Sequence, residues 1–400
     1  MNKQADCRGD FVQDISDQVI AWALEGTSVE RLLKGFCAKM RKAGFPLWRA
    51  HMACSWLHPM FQAISFTWHS DTGRVELVRH LHSEKDDEEW LRSPLKAMID
   101  NGENELRAHL ETGEGCNQYP VFQSFRERGA TDYFGMMVSF GKMDEAKDNL
   151  DGFISSWATD REGGFTEDEI NALRRLFPRL ALGVKSIIRE QTARNVLSAY
   201  LGPYAGQKVL EGQIKRGDGE RIRAIIWYND LRSSTRLADQ MPPEEFLALL
   251  NRYFEMTAGI VMDHGGEVLR FVGDAVLAIF AIEGPGGAER AARMALAAAK
   301  SSLKLLEEDE AQEDGIQFGI GLHVGEVMYG NIGVPERLEF SVIGPAANEA
   351  ARMEAATKTF GERMLVSEAF SELTPREHWR ALGAHRFDGV SREINLFTLN

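Results

Sequence analysis

A strong helix start divides this sequence near its middle. The stretch 163–169 (GGFTEDE) places Thr166 where its hydroxyl can accept from the first-turn amides, and Glu169 three residues later completes a capping box. Apolar residues then recur at helical spacing, which predicts a helix over residues 170–200, kinked or split at Pro178. A chain of 400 residues with 44% apolar residues can fill two hydrophobic cores, so we expect one domain on each side of this helix.

The charge balance narrows the class of partner. The formal net charge of -14 and the sequence pI of about 5.3 argue against nucleic acid and against an anionic membrane surface. Residues 1–14 lack the apolar core of a secretory signal, and the apolar stretch 173–188 is broken by charges well before the ~20 apolar residues that a membrane span needs. We therefore expect a cytoplasmic protein without a membrane segment.

Neither the cysteines nor the acidic run at residues 84–89 indicates a metal site. The cysteines show no CxxC pairing, which argues against a disulfide framework and a structural zinc, so we expect buried thiols. The acidic run 84–89 has no spaced ligands and is interpreted as a solvated face or loop. The four cysteines are Cys7, Cys37, Cys54 and Cys116.

The first half combines an opening helical pattern with several strand-like segments. This order, closed by a helix after the GGFT turn, resembles GAF-type sensor domains over residues 17–190. The resemblance implies an α/β sensor domain over residues 1–190, responding to an unidentified small molecule or protein. A helical linker and junction is expected over residues 191–220. The strands are predicted at residues 48–56, 63–68, 132–140 and 153–158.

A haem or metal sensor is an alternative reading of the first half, because it is rich in histidine. No ligand spacing is evident, and scattered histidines among aromatic residues are more often packing or surface groups. The tryptophans of this region can likewise line a pocket, although filling a core is their usual role. The histidine set is His51, His58, His69, His80 and His82, with Cys54 beside them in sequence.

Strand and helix patterns alternate in the second half. The order predicts an α+β sandwich rather than strict βαβ repetition. The elements are a buried strand at 221–228, a helix from Pro242-Pro243 to Gly265-Gly266, a hairpin of 267–272 and 275–280, an alanine-rich helix at 287–306 and a strand at 316–323.

Two aspartates stand where these strands end. Asp230 follows the first strand, and Asp274 sits at the hairpin turn. A lone aspartate at a turn usually caps its own backbone, but two carboxylates on neighbouring strands are what a two-cation Mg²⁺ site needs. A third element is the stretch 344–354 (GPAANEAARME), in which Asn348 and Arg352 share a helix face at i and i+4.

At these residues the second half resembles a class III adenylate/guanylate cyclase domain. The motifs occur in the family's order over nearly two hundred residues, and the resemblance implies a catalytic domain over residues 221–400 with a ferredoxin-like βαββαβ core. The matching stretches are 230–235 (DLRSST), 271–280 (FVGDAVLAIF), 319–327 (GIGLHVGEV), 330–333 (GNIG), 337–344 (RLEFSVIG) and 348–352 (NEAAR).

The resemblance also implies a role for each motif residue. Asp230 and Asp274 would hold two Mg²⁺ ions, with Mn²⁺ as a substitute, one ion at the ribose 3′-hydroxyl and one at the triphosphate. Asn348 would orient the ribose, and Arg352 would bind the α-phosphoryl group during in-line attack of O3′ with loss of pyrophosphate. Backbone amides of the loop that follows Asp230 would cradle phosphate oxygens, at Leu231, Arg232, Ser233, Ser234 and Thr235.

The family architecture further implies a homodimer with composite active sites. The metal-binding aspartates of one chain would face the Asn and Arg of the other, with residues 332–341 as the dimerisation arm. Such an isologous dimer has two equivalent sites, whereas a monomer has none.

Three positions depart from the family pattern and bear on the substrate. The family usually has Lys or Glu four residues before the second metal aspartate, where this chain has Arg270, and Ser341 occupies the partner position. Because Arg only donates hydrogen bonds, the pair favours ATP over GTP. A C-terminal lysine of the family, which meets the triphosphate, is replaced by Asp388. Two readings stay open: Arg386 substitutes from a neighbouring position, or the triphosphate is bound more weakly.

Two alternatives to an adenylate cyclase stay open. One is a guanylate cyclase, and the other is a catalytically weak nucleotide-binding regulatory protein. A pure binding module has no need of all four of Asp230, Asp274, Asn348 and Arg352, so their joint presence favours an active enzyme.

Overall fold

The computed structural model describes residues 3–82, 87–113, 118–140, 152–310, 315–390 and 392–400, without the side chains of residues 3–10 and 310. The chain separates into two compact units, Met1–Val196 and Leu197–Asn400. Among the described residues, no helix is long and apolar enough to cross a membrane.

The N-terminal unit is built on a six-stranded antiparallel sheet in the order β3-β2-β1-β6-β5-β4. Apolar residues from α1, α2 and α6 pack with one face of this sheet in a single large core. Its elements are α1 (Lys3–Leu24), α2 (Val29–Lys42), β1 (Arg49–Ser55), β2 (Phe61–His69), β3 (Val75–Leu81), α3 (Glu88–Leu91), α4 (Pro94–Asn101), β4 (Glu105–His109), α5 (Pro120–Glu127), β5 (Asp132–Ser139), β6 (Gly152–Thr159) and α6 (Glu167–Leu201).

Helix α6 begins at the predicted capping box. The Glu169 amide donates to the Thr166 hydroxyl at 3.3 Å, and the Thr166 amide donates back to the Glu169 carboxylate at 2.8 Å, which confirms the reciprocal cap. A split at Pro178 is wrong, because α6 continues through it to Leu201. Pro178 lies on the exposed side, where water can satisfy the carbonyl that loses its amide partner, while Phe177 and its neighbours stay buried.

Two strands of this sheet, β3 and β4, do not show in the sequence pattern. Both are edge strands with mostly exposed or half-buried side chains, so neither carries the apolar alternation of a half-buried strand.

Of the predicted buried thiols, Cys37 and Cys54 are buried, whereas the side chain of Cys7 and all of Cys116 lie outside the described residues. Much of the acidic run 84–89 also lies outside them.

The C-terminal unit is an eight-stranded sheet in the order β13-β14-β12-β10-β7-β9-β8, with β11 paired to β10. Its elements are α7 (Pro203–Leu210), β7 (Gly219–Leu231), α8 (Ser234–Gln240), α9 (Pro243–Phe254), a π-helical turn (Glu255–Gly259), α10 (Ile260–Asp263), β8 (Glu267–Val272), β9 (Ala275–Ala281), α11 (Gly287–Glu310), β10 (Phe318–Val334), β11 (Arg337–Ile343), α12 (Pro345–Phe360), β12 (Met364–Ser367), α13 (Glu368–Ser371), a 3₁₀ turn (Arg376–His378), β13 (Trp379–Arg386) and β14 (Glu393–Leu399).

The centre of this sheet has the predicted βαββαβ connectivity. Strand β7 is followed by α9, the β8–β9 hairpin, α11 and β10, and the spatial order β10-β7-β9-β8 is antiparallel throughout. Strand β10 is much longer than predicted, because its second half forms a hairpin with β11 beyond its pairing with β12. The end of β7 and the β8–β9 turn therefore lie side by side in the sheet.

Candidate active site

The sheet register brings Asp230 and Asp274 together. Asp230 pairs with Ala275 across β7 and β9, so it lies next to the turn that carries Asp274. Both side chains are partly exposed at this edge. Burial raises the pKa of Asp230 above its ordinary value, and the charge of Asp274 together with a hydrogen bond between the two carboxyl groups raises it further. The two aspartates therefore repel one another in the free protein.

A lysine of α12 partly compensates this repulsion. Lys358 of α12 places its Nζ 3.6 Å from Asp230 Oδ2 and is half exposed. Paired carboxylates with a raised pKa fit a divalent cation, because the cation replaces their repulsion with attraction. Within the described part of the chain, no group of three or more His, Cys, Asp or Glu forms a metal site. Mg²⁺ commonly uses one or two carboxylates and fills its shell with water and substrate oxygens, so the donor set suits Mg²⁺.

A third carboxylate, Glu354, interacts with the charges of both aspartates and is almost fully buried. Burial raises its pKa to about 7, and the charge of Asp230 adds to the effect. Gly319 of β10 leaves room for this side chain, since a Cβ there would lie 2.7 Å from Glu354 Oε1. Sequence reasoning missed Glu354 and Lys358, although their i and i+4 spacing on α12, just after Arg352, was a visible signal.

We expect Glu354→Gln to stabilise the metal-free protein at high pH. A folded-state pKa of about 7 against the ordinary 4.5 means that the folded state keeps a proton which the unfolded chain releases. The stability of the wild type should therefore fall as the pH rises from 4.5 to 7. The variant should gain on the order of 3 kcal/mol above pH 7 and almost nothing near pH 4.5, measured by denaturant unfolding in EDTA.

The matched control for this measurement is Glu372→Gln, which neutralises an exposed carboxylate of the same unit. A stabilisation by Glu354→Gln that does not depend on pH would contradict the assignment of a raised pKa to this group.

A buried polar chain holds the strand end that carries Asp230. The Trp227 indole donates to Asn229 Oδ1 at 2.5 Å, and the Asn229 amide donates to the Tyr253 hydroxyl at 2.5 Å. All three side chains are fully buried, and the bonds connect β7 to α9. A satisfied buried network of this kind fixes the backbone next to the aspartate.

The loop after Asp230 turns sharply at Ser233. Among the described residues Ser233 is the one non-glycine with a positive φ, 59°, a conformation that costs a serine about 1 kcal/mol or more and often marks a functional site. The Arg232 amide donates to the Gln317 carbonyl at 2.7 Å, and its guanidinium donates to the Glu362 carbonyl at 2.9 Å. Leu231 is buried. A phosphate cradle in this loop therefore depends on the amides of Ser233, Ser234 and Thr235.

Asn348 and Arg352 are exposed on α12, one turn apart, while Ala350 and Met353 are buried. Lys358, the α12 residue that contacts Asp230, lies ten residues further on, and a rise of 1.5 Å per residue puts Asn348 about 15 Å away along the axis. The two aspartates thus lie together, and Asn348 lies about 15 Å along α12 from the lysine that contacts Asp230.

Arg270 pairs with a residue that sequence reasoning missed. Its Nε lies 2.6 Å from Glu339 Oε1, and its Nη2 donates to Glu339 Oε2 at 2.8 Å. Ser341 is buried, and its hydroxyl finds no hydrogen-bond partner in the part of the chain that the structure describes. At the C-terminal position, Arg386 ends β13 and Asp388 lies in the following turn, and both are exposed.

Comparison with known proteins identifies the class of this unit. Residues 220–387 match the family model described as adenylate and guanylate cyclase catalytic domain. Over these residues the C-terminal unit carries an adenylate/guanylate cyclase catalytic domain.

Similar proteins match about half of the chain. Two uncharacterized proteins of Mycobacterium tuberculosis are 31% identical over 219 residues and 32% identical over 203 residues, covering 54% and 51% of this chain but 39% and 34% of their own lengths. The chain thus spans well under half the length of these curated relatives.

The solved structures that resemble the chain include cyclases of both specificities. One is a bacterial light-regulated adenylyl cyclase, with 28% identity, a TM-score of 0.40 and coverage of 45% of this chain and 91% of the other. Another is the guanylyl cyclase Cya2, with 25% identity, a TM-score of 0.38 and coverage of 45% and 93%.

Proposed function

We propose that this chain converts a purine nucleoside triphosphate, with ATP as the main substrate, into the 3′,5′-cyclic monophosphate and pyrophosphate. The observation that carries the proposal is the pair of Asp230 and Asp274 at one edge of the cyclase-type sheet, whose mutual repulsion in the free protein suits divalent cations. Mg²⁺ is the expected metal, and Mn²⁺ is an expected substitute.

The chain's own groups then have separate tasks. Asp230 and Asp274 hold the metal ions, and the amides of Ser233 to Thr235 orient the phosphates. Arg352 stabilises the charge that develops on the α-phosphoryl group, and Asn348 positions the ribose. When bound, the metal ions lower the pKa of the 3′-hydroxyl and neutralise charge on the triphosphate.

We further propose a homodimer in which each active site combines two chains. The spacing of about 15 Å along α12 between Asn348 and Lys358, which contacts Asp230, supports this arrangement. A second copy related by twofold symmetry would offer its exposed Asn348 and Arg352 to the first, and two equivalent sites would result. Residues 332–341, at the β10–β11 hairpin, remain the proposed dimerisation arm.

The N-terminal unit is proposed to be a GAF-like regulatory domain. Its antiparallel sheet closed by the long helix α6 supports this assignment, and α6 continues into the first residues of the catalytic unit.

Product analysis tests the proposal. The purified protein, incubated with Mg²⁺ or Mn²⁺ and either ATP or GTP, should release pyrophosphate and a cyclic nucleotide, with more cyclic AMP than cyclic GMP. A folded dimer that binds nucleotide without forming either product would instead be the regulatory binding protein.

The same assay on residues 195–400 should give an altered basal rate, and an unchanged rate would remove the regulatory role of the N-terminal unit.

A further inference from the structure

Strand β10 lets α12 approach the sheet at backbone distance. Alternate residues of β10 direct their side chains toward α12, and all but one of them between positions 319 and 325 are glycine. A Cβ at Gly325 would lie 2.3 Å from the Ala346 Cβ, and a Cβ at Gly321 would lie 2.4 Å from the Ala350 carbonyl oxygen. Only glycine fits at such distances, so β10 fixes how closely the first half of α12 lies against the sheet.

The exception in this row is His323, which contacts a carboxylate of α12. Its Nε2 lies 3.0 Å from Glu349 Oε2, and both side chains are more than nine-tenths buried. Burial lowers the pKa of the His323 imidazole, so at neutral pH the uncharged ring donates its Nε2 hydrogen to the carboxylate. The bond joins the middle strand of the sheet to the first half of α12.

Arg392 provides a second contact to the same carboxylate oxygen. It lies between β13 and β14, and its Nη2 donates to Glu349 Oε2 at 2.9 Å. A cavity of about 450 Å³ adjoins His323, Glu349 and Arg392, so close packing does not surround the carboxylate. The two hydrogen bonds therefore determine where the Glu349 side chain lies.

Glu349 lies between the two α12 residues that are proposed to act on the substrate. Asn348 precedes it directly, Arg352 follows within one turn, and both are exposed. Because α12 meets β10 mainly through small residues, few side chains interlock to prevent it from turning about its axis. A rotation of about 20° would move side-chain atoms about 6 Å from the axis by about 2 Å. A misplacement of about 1 Å can lower a rate about a hundredfold.

We propose that Glu349, held by His323 and Arg392, is a positioning residue for Asn348 and Arg352. It does not touch the substrate: it fixes the rotation of α12, and thereby the place of the two exposed side chains. This inference rests on the proposed cyclase activity. It also gives a reason for a buried carboxylate at this position, where an apolar side chain would fill the space without a hydrogen bond.

The first test compares Glu349→Leu with Glu349→Gln. Leucine has no acceptor, so neither contact can form, whereas the glutamine carbonyl can still accept from both donors. Glu349→Leu should lower kcat about tenfold to a hundredfold and leave KM for the metal–ATP complex within about threefold, because Asn348 and Arg352 act in the chemical step. Glu349→Gln should recover most of the lost rate.

Subunit mixing shows which half of the composite site is damaged. Glu349→Leu mixed with Asp230→Asn should reach about a quarter of the wild-type rate, because the second chain supplies an intact Asn348 and Arg352. Mixed with Arg352→Ala it should regain nothing, since both changes affect the same half. The opposite pattern would overturn the inference, because Glu349 would then act on the aspartates of its own chain.

The matched control is Arg380→Ala, which breaks an ion pair with Glu362 just beyond the other end of α12 and should leave kcat unchanged. If Glu349→Leu fails to fold, Arg392→Ala takes its place, because the Arg392 side chain is 65% exposed. This variant should lower kcat several-fold at an unchanged KM and show the same mixing pattern.

A wild-type kcat in the folded, dimeric variant tested would overturn the inference, because a merely structural contact would change stability alone. A Glu349→Gln protein as slow as Glu349→Leu would contradict it as well, since the acceptor is retained. Absence of product from the wild type would instead overturn the proposed cyclase activity, and this inference with it.

Discussion

Asp230→Asn and Asp274→Asn should each lower cyclase turnover at least a hundredfold while leaving the folded protein as stable as before or more so. The loss follows from the metal ions, whose charge stabilises the transition state by several kcal/mol. The stability follows from the raised pKa of Asp230, since removing either charge removes a repulsion that the free protein contains. Cyclase assays and thermal unfolding in EDTA measure the two effects separately.

Metal titration provides a readout that does not depend on turnover. Mg²⁺ should raise the melting temperature of the wild type and should affect both variants far less, because a ligand stabilises only the state that binds it. Asp239→Asn, at an exposed position on the neighbouring helix α8, makes the same change of charge and should behave like the wild type. Retention of more than a few per cent of activity by either active-site variant, with metal supplied, would refute the two-metal assignment.

Mixing two inactive variants should restore activity if the sites are shared between chains. Asp230→Asn and Arg352→Ala damage opposite halves of the composite site, so a heterodimer has one doubly damaged site and one intact site. Random exchange at equal concentrations makes half of the dimers heterodimers, and the mixture should reach about a quarter of the wild-type rate. The measurement is the cyclase rate before and after subunit exchange.

The control for this experiment is a mixture of Asp230→Asn with Asp274→Asn. Both changes lie in the same half of the site, so no heterodimer has an intact site and no activity should return. If subunit exchange is demonstrated and the first mixture stays as inactive as the second, the composite site is the wrong model.

The sequence was most informative where a pattern is local. Two predictions that depend only on neighbouring residues are confirmed: the helix cap at Thr166 and Glu169, and the β8–β9 hairpin. Pro178 shows the limit of a local rule, because its cost depends on which side of the helix faces water. The edge strands β3 and β4 carry little apolar pattern and were missed for that reason.

Parts of the site depend on contacts that spacing does not reveal. The approach of Asp230 and Asp274 could be predicted, because each ends a recognisable strand. Glu339 could not be assigned to Arg270 without the packing of β8 near β11, since 69 residues separate them. The same holds for the Arg232 amide. The sequence predicted that it binds a phosphate, but in the structure it donates to the Gln317 carbonyl.

Helix α12 has a consequence for communication within the proposed dimer. Its C-terminal half supplies Lys358 and Glu354 to the aspartates of its own chain, and its N-terminal half presents Asn348 and Arg352 for the partner. In the proposed dimer a rotation or shift of α12 would therefore change the geometry of both active sites. Substrate binding at one active site should therefore change the substrate affinity of the other. The cyclase rate should then depend cooperatively on substrate concentration in the wild-type dimer, and this cooperativity should disappear in a heterodimer with one working active site.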